Sequence, residues 1–234
     1  MSSAQKRIYL VCRMDEGGIS YNLPKCIRLR GEVRVEGLRT ALQAMIDRHE
    51  ALRTAFLLVN GEPMQQILPH AEADFTYLVD EDSTEEALTA AFVQPFDLSK
   101  APLIRMRLVK RRNDWLLQID THHIVSDGMS EETFTKEFTA LYNGERLAPQ
   151  KRQYKDYSEW MRSRDLTAQQ AYWMEQFRDE APVLDLPLDY SRPQEQSHKG
   201  AMLFERTGAA LTKGSRRWQR RRVRRNIWSS SLRR

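Results

Sequence analysis

The chain has 234 residues, 41% hydrophobic and 29% charged, an ordinary globular composition long enough for one sizeable domain or two small ones. No apolar run is long enough to cross a bilayer, residues 1–10 lack the apolar core of a secretory signal, and Cys12 and Cys26 match no metal spacing, so membrane-spanning, exported and structural-metal classes are set aside and a cytoplasmic protein with free thiols is expected. The net charge of +5 is a local effect: residues 214–234 hold nine arginines and no acid, which leaves the preceding body at −4 and removes the case for a basic nucleic-acid-binding domain there.

Residues 3–14 carry an apolar stripe of Ile8, Leu10 and Val11, expected as a short helix or strand, and a turn at Gly17-Gly18 follows. Residues 24–30 alternate as a strand, with Cys26 or Ile27 turned inward. Over 36–50, Leu38, Ala41, Leu42, Met45 and Ile46 recur at the spacing of one helical face. A strand at 54–60 closes on Asn60-Gly61, a strong hairpin signal, with its partner at about 64–68. The acidic stretch 80–86 opens a helix running to about Val93. Residues 102–110 set Ile104, Met106 and Leu108 on one face and Arg105 and Arg107 on the other. Asn113-Asp114 then turns the chain into 115–122, giving a hairpin with one buried face.

In that second strand the period of two places Trp115, Leu117, Ile119, Thr121 and, by extension, His123 on the apolar row. Gln118, Asp120 and His122 fall on the polar row. A helix should begin at Ser130 as N-cap, with Glu131 and Glu132 in its first turn and Met129 and Phe134 as a hydrophobic staple. Phe134, Phe138, Leu141 and Tyr142 form its apolar face, and Gly144 is the expected stop. Thr167 to Gln170 has capping-box spacing and starts a helix carrying Trp173 and Phe177. Residues 181–193, with prolines at 182, 187 and 193, read as a linker. Strands and helices mix without strict alternation, so the class is α+β.

Adjacent histidines alone favour structural or surface roles, because two neighbours on a strand cannot both face one site. The longer pattern His122-His123-x-x-x-Asp127-Gly128 is sharper. It resembles the signature of nonribosomal peptide synthetase condensation domains and their chloramphenicol-acetyltransferase-like relatives. Further segments agree in the family's order. Ser2-Ser3-Ala4-Gln5-Lys6-Arg7-Ile8-Tyr9 is similar to the family's opening S-x-A-Q-x-R-[LM]-[WY], with isoleucine as the departure. Arg48-His49-Glu50-Ala51-Leu52-Arg53-Thr54-Ala55-Phe56 matches R-H-E-x-L-R-T-x-F at every fixed position. Pro95-Phe96-Asp97-Leu98 with Pro102-Leu103-Ile104-Arg105 resembles the PFDL…PLxR stretch. Tyr154-Lys155-Asp156-Tyr157-Ser158-Glu159-Trp160-Met161 resembles Y-x-D-Y-A-x-W-Q, departing at Ser158 and Met161.

The resemblance implies a chloramphenicol-acetyltransferase-like α+β lobe, a mixed sheet flanked by helices, truncated before a second lobe. Residues 1–180 would be the N-terminal lobe, 181–211 a linker and the start of the second lobe, and 212–234 an Arg-rich tail. It implies amide-bond formation between a carrier-bound acyl or peptidyl thioester and a carrier-bound aminoacyl group, with no cofactor bound directly. The substrates would ride on the phosphopantetheine arms of carrier domains, beside an adenylation domain of the same or a neighbouring synthetase. His123 would act as base or as positioning group, His122 in packing or orientation, and Asp127 in an ion pair with Arg48 or, second, Arg53. Gly128 would keep the substrate channel open; apart from the resemblance, Tyr157 and Trp160 are read as core aromatics rather than lobe-surface residues or substrate contacts.

The family's second-lobe motifs are absent, and likeness fades after Leu211. The isolated chain is therefore expected to give no measurable condensation. The tail is read as a translated frame shift, disordered and solvated: with an A ending the Ile227 codon, Trp228–Arg233 can be encoded so that the alternative frame spells Met-Val-Leu-Leu-Ala-Ala, like the family's next helix. Resequencing the gene should show an alternative frame continuing into the second lobe; without one the frame-shift reading fails. The competing readings are a superfamily acyltransferase using soluble acyl-CoA, and a basic nucleic-acid-binding arm with Trp218 and Trp228 as stacking groups.

Overall fold

The fold is described from a computed structural model, which places residues 1–14, 18–179, 181, 183–194, 207–208 and 211–214. The chain divides into two units, Met1–Val183 and Leu184–Arg234. The Gly17 half of the expected turn and residues 215–234, most of the tail read as disordered, lie outside the described residues; its first residues, 212–214, are helical. In the second unit, residues 184–194 carry no regular secondary structure, as the prolines imply.

The first unit runs α1 (Ser3–Met14), β1 (Lys25–Leu29), α2 (Val35–Arg48), β2 (Thr54–Val59), β3 (Glu62–Ile67), β4 (Asp74–Val79), α3 (Glu85–Phe92), β5 (Ile104–Lys110), β6 (Trp115–Thr121), α4 (Gly128–Tyr142), α5 (Tyr154–Ser163) and α6 (Thr167–Gln176). Four strands form a mixed sheet in the order β1-β6-β5-β4. Its β4–β5 pair is parallel and the other two pairs are antiparallel. β2 and β3 form a separate hairpin whose tip, Asn60 and Gly61, takes positive φ at both positions, the primed turn that Asn-Gly favours. β4 is an element that periodicity did not reveal.

The five apolar residues predicted for α2 are all buried. They pack with Phe138 of α4 against Ile104, Met106, Leu108, Leu117 and Ile119 of the sheet. Burying a side chain of the size of Leu42 or Ile46 stabilises by about 1.5–3 kcal/mol, so this face is the main core. The opposite face is covered as well. Leu88 of α3 packs on Val109 and Leu116, and Arg107 reaches across to bond Gln118 Oε1 at 2.9 and 2.7 Å. The hairpin β5–β6 thus has two buried faces, not one. Gln118 and Asp120 are wholly inaccessible because α3 and the segments around it close over the row their polarity had marked as exposed.

Other expectations are corrected in the same way. β1 is a sheet edge, so Cys26 is exposed and Ile27 is 41% exposed instead of turned inward. α4 starts two residues before the expected cap. Asp127 is the N-cap, accepting from Ser130 N at 2.8 Å, because a carboxylate caps as well as a hydroxyl and comes first in the chain. The staple therefore loses its frame, and Met129 is 76% exposed. The stop holds: Gly144 has φ of 82° and donates to Leu141 O at 3.0 Å. At α6, Asp165 rather than a capping box accepts from Thr167 N at 3.0 Å. Tyr157 and Trp160 are 46% and 54% exposed, since α5 buries Ser158 instead.

Candidate functional site

The signature lies where β6 ends, in the short segment between the sheet and α4. Three neighbours fix its backbone. His122 N donates to Leu103 O at 3.0 Å, His123 N to Tyr21 O at 2.8 Å, and Leu23 N to Thr121 O at 2.8 Å. Residues 21–23 thereby extend the sheet edge beyond β1, and Asn22 and His122 form an isolated antiparallel bridge. α1 closes one side through Gln5, whose amide donates to Ile124 O at 3.2 Å.

The two imidazoles are treated differently. His122 is 4% exposed, stacked on Tyr21 at 6.2 Å and met edge-on by Phe96 at 6.0 Å. Its Nδ1 accepts the Ile124 N–H at 3.1 Å, which assigns the proton of the neutral ring to Nε2, and Nε2–H faces Cys12 Sγ at 3.7 Å. Burial, with a smaller contribution from the neighbouring His123, pushes its pKa down to about 4, so at neutral pH this ring is uncharged. His123 is exposed, with Tyr21 set edge-on to its ring at 6.4 Å. The expectation that His123 continues the inward apolar row is not met: β6 ends at Thr121 and the His123 side chain is exposed.

Asp127 sits one turn further on. Its Oδ1 takes Ser130 Oγ at 2.7 Å in addition to the amide, and these two donors hold the carboxyl below the usual carboxylate range. Among the described residues the expected ion pair from Asp127 to Arg48 or Arg53 is not formed. Arg48 instead grips Glu137 of α4 with two nitrogens, at 2.9 and 3.3 Å, and donates to Ala148 O at 2.6 Å. His49 Nε2 shares Glu137 at 2.6 Å. Burial opposes ionisation of Glu137, but Arg48 and His49 outweigh it and hold the carboxyl low. Arg53 bonds Leu68 O and lies 3.8 Å from Glu50. The reason is local: Asp127 has spent its oxygen on the α4 N-terminus, where the first-turn amides compete with any distant arginine.

Gly128 is the first residue of α4. Its φ lies outside the left-handed region, and a Cβ built there meets nothing within 4 Å among the described residues. The fold itself does not demand glycine at this position. Beside the signature, a mostly apolar cavity of about 410 Å³ opens between β1, β6 and α4, lined by Ile27, Leu117, Ile119, Phe134 and Phe138. Thr121 and Ser126 line it on either side of the histidines. The Lys25–Glu131 ion pair, 3.0 Å, sits at its wall. No group of three or more His, Cys, Asp or Glu among the described residues could hold a metal.

Three residues that bear on this site, Asn22, Asp120 and Cys12, were not marked as site residues by their sequence context. For Asp120 the available signal was the alternation Gln118, Asp120, His122, a row that would be costly to bury without dedicated partners.

A family model described as "Condensation domain" matches residues 1–219. The chain is 44% identical over 221 residues to gramicidin S synthase 2 of Brevibacillus brevis, covering 92% of this chain and 5% of that protein. It is 41% identical over 218 residues to surfactin synthase subunit 2 of Bacillus subtilis strain 168, covering 91% and 6%. Among solved structures it aligns with the X-domain from teicoplanin biosynthesis at 28% identity and TM-score 0.69, over 82% of this chain and 46% of that one. It aligns with the condensation domain of the monacolin K polyketide synthase MokA at 19% identity and TM-score 0.78, over 97% and 56%, a likeness of fold. The chain thus spans a small part of the curated relatives and about half of the solved chains.

Proposed function

Because the chain belongs to the condensation-domain family of the nonribosomal peptide synthetases, we propose that it supplies His123 to amide-bond formation between an acyl or peptidyl thioester and an aminoacyl amine, each tethered to a carrier domain. The observation that carries this reading is the division of labour between the histidines. His122 is buried, neutral and committed on both nitrogens, while His123 projects its ring into the open from a strand end held on both sides.

In the reaction the amine nitrogen attacks the thioester carbonyl, the C–N bond forms, and the C–S bond breaks to release the carrier's phosphopantetheine thiol. An α-amine has a pKa of about 8 and is partly neutral near pH 7. The harder demand is taking the proton from nitrogen as it becomes positive, and His123 accepts it there. The apolar cavity beside Thr121 and Ser126 offers room for an apolar part of a substrate. Carrier and adenylation domains are the partners this chemistry needs.

The test is a chimera in which residues 1–211 replace the matching half of a homologous condensation domain, assayed with loaded donor and acceptor carrier proteins. Amide product that depends on His123 supports the reading; a folded chimera that forms none overturns it. Gly128 gives a second check. Since no described residue lies within 4 Å of a Cβ there, Gly128→Val should leave stability within about 0.5 kcal/mol. The same substitution should lower condensation at least tenfold if substrate passes close to that backbone. An unchanged rate would place the substrate path elsewhere.

A further inference from the structure

Asp120 is fully buried, two residues before the histidine pair, and neither the reaction nor the main core accounts for it. Its Oδ2 accepts Asn22 Nδ2 at 2.7 Å and lies 3.6 Å from Arg105 Nε, while its Oδ1 has no hydrogen-bond partner of good geometry among the described residues. Burial raises its pKa, opposed by the Asn22 bond and the Arg105 charge, so the fold carries a cost to keep this carboxyl in place.

What the cost secures is visible in the partners. Asn22 is itself buried, and its other amide hydrogen goes to Gln94 O at 2.9 Å. Arg105 donates to the same Gln94 O at 2.7 Å and lies over the Phe96 ring at 3.7 Å. One carboxylate thus gathers three pieces of chain around the signature: 21–23, 94–96 and the β5–β6 strands. Residues 21–23 belong to no helix or strand of their own, and Asn22–Asp120 is the side-chain link that ties them down to β6. The neighbour of Asn22, Tyr21, gives its carbonyl to His123 N and sets its ring edge-on to the His123 imidazole.

We propose that Asp120, acting through Asn22 and Tyr21, is the positioning residue that orients the His123 ring. The catalytic consequence rests on the proposed role of His123, while the positioning itself does not. Asn22→Ala cuts the link while leaving the main core intact. Asp120→Asn keeps an acceptor for Asn22 and serves as the conservative rescue, and Asp120→Ala removes both.

In the isotope-labelled full chain, the ring protons of His123 should carry a ring-current shift from Tyr21. Asn22→Ala should abolish it and speed amide exchange at Leu23 and His123 at least tenfold, with Met106 and Leu117 unchanged. Asp120→Asn should retain most of both. A folded Asn22→Ala chain that keeps the ring shift and the slow amides overturns the proposal, as does Asp120→Asn behaving like Asp120→Ala. In the chimera, Asn22→Ala should lower kcat on the order of ten- to a hundredfold with KM for the loaded carriers unchanged. If the ring shift is lost while kcat stays level, and His123→Ala still inactivates, the ring is positioned as proposed but its catalytic consequence is overturned. If His123→Ala is itself harmless, the failure belongs to the proposed function instead.

Discussion

Replacing His123 by alanine in the chimera should cut the rate of amide formation by roughly 10²–10⁴-fold, the usual value of a positioned general base. The expectation follows from how little else the ring does. Its side chain packs in neither main cluster, so the loss should appear in kcat without a matching loss of stability. The comparison with His122 sharpens this. That ring is held by Ile124 N–H and faces Cys12, so changing it disturbs the segment 122–124 and the packing of Tyr21 and Phe96 together. His123→Ala should therefore show a normal unfolding midpoint and a collapsed rate, whereas His122→Ala should lose both. A His123→Ala chimera retaining more than a tenth of the parent rate would remove the imidazole from the chemistry.

The sequence made some of this arrangement legible, and physical reasons separate the parts it hid. α2 could be read because five apolar residues at helical spacing, four of them large, form one face that must be buried. The β2–β3 turn was equally plain, since Asn60 and Gly61 tolerate the positive φ that a two-residue hairpin requires. β4 was invisible for a complementary reason. It buries Phe75 but leaves Tyr77 and Val79 substantially exposed, and it pairs in parallel with β5, a partner about thirty residues away that no local pattern announces.

At the site, the histidine pair and Asp127-Gly128 were marked by their spacing, but their surroundings were not. A period-two reading assigns faces and cannot say whether a polar face is covered. In β6 that row is covered, and Gln118, Asp120 and His122 each keep a dedicated partner inside. Nor can sequence distance tell Arg48 to choose Glu137 over Asp127. The choice depends on α2 and α4 packing side by side and on Asp127 already serving the helix start.

Acid should expose the burial of His122 as a loss of stability in a defined window. The folded-state pKa of about 4 lies below the ordinary 6.5, so between these values the unfolded chain takes up a proton that the folded chain refuses. The sign is therefore fixed: His122's contribution is complete above pH 6.5, falls as pH drops toward 4, and is lost below that. Integrated over the window the difference amounts to about 3 kcal/mol, a large fraction of a small domain's stability. Carboxylates act lower on the scale. Asp127 and Glu137, held below their ordinary 3.8 and 4.5, lose their stabilising share mainly beneath those values. Asp120, whose pKa is raised, works in the opposite sense, favouring the folded state as acid is added. Urea unfolding at pH 7 and pH 4.5 should thus show a drop in the wild-type chain that shrinks by about 2–3 kcal/mol in His122→Asn, whose side-chain oxygen can still accept the Ile124 N–H but does not titrate. Equal drops in the two proteins would mean that His122 is protonated in the folded state at pH 4.5, and the internal hydrogen-bond pattern assigned to it would fall with that result.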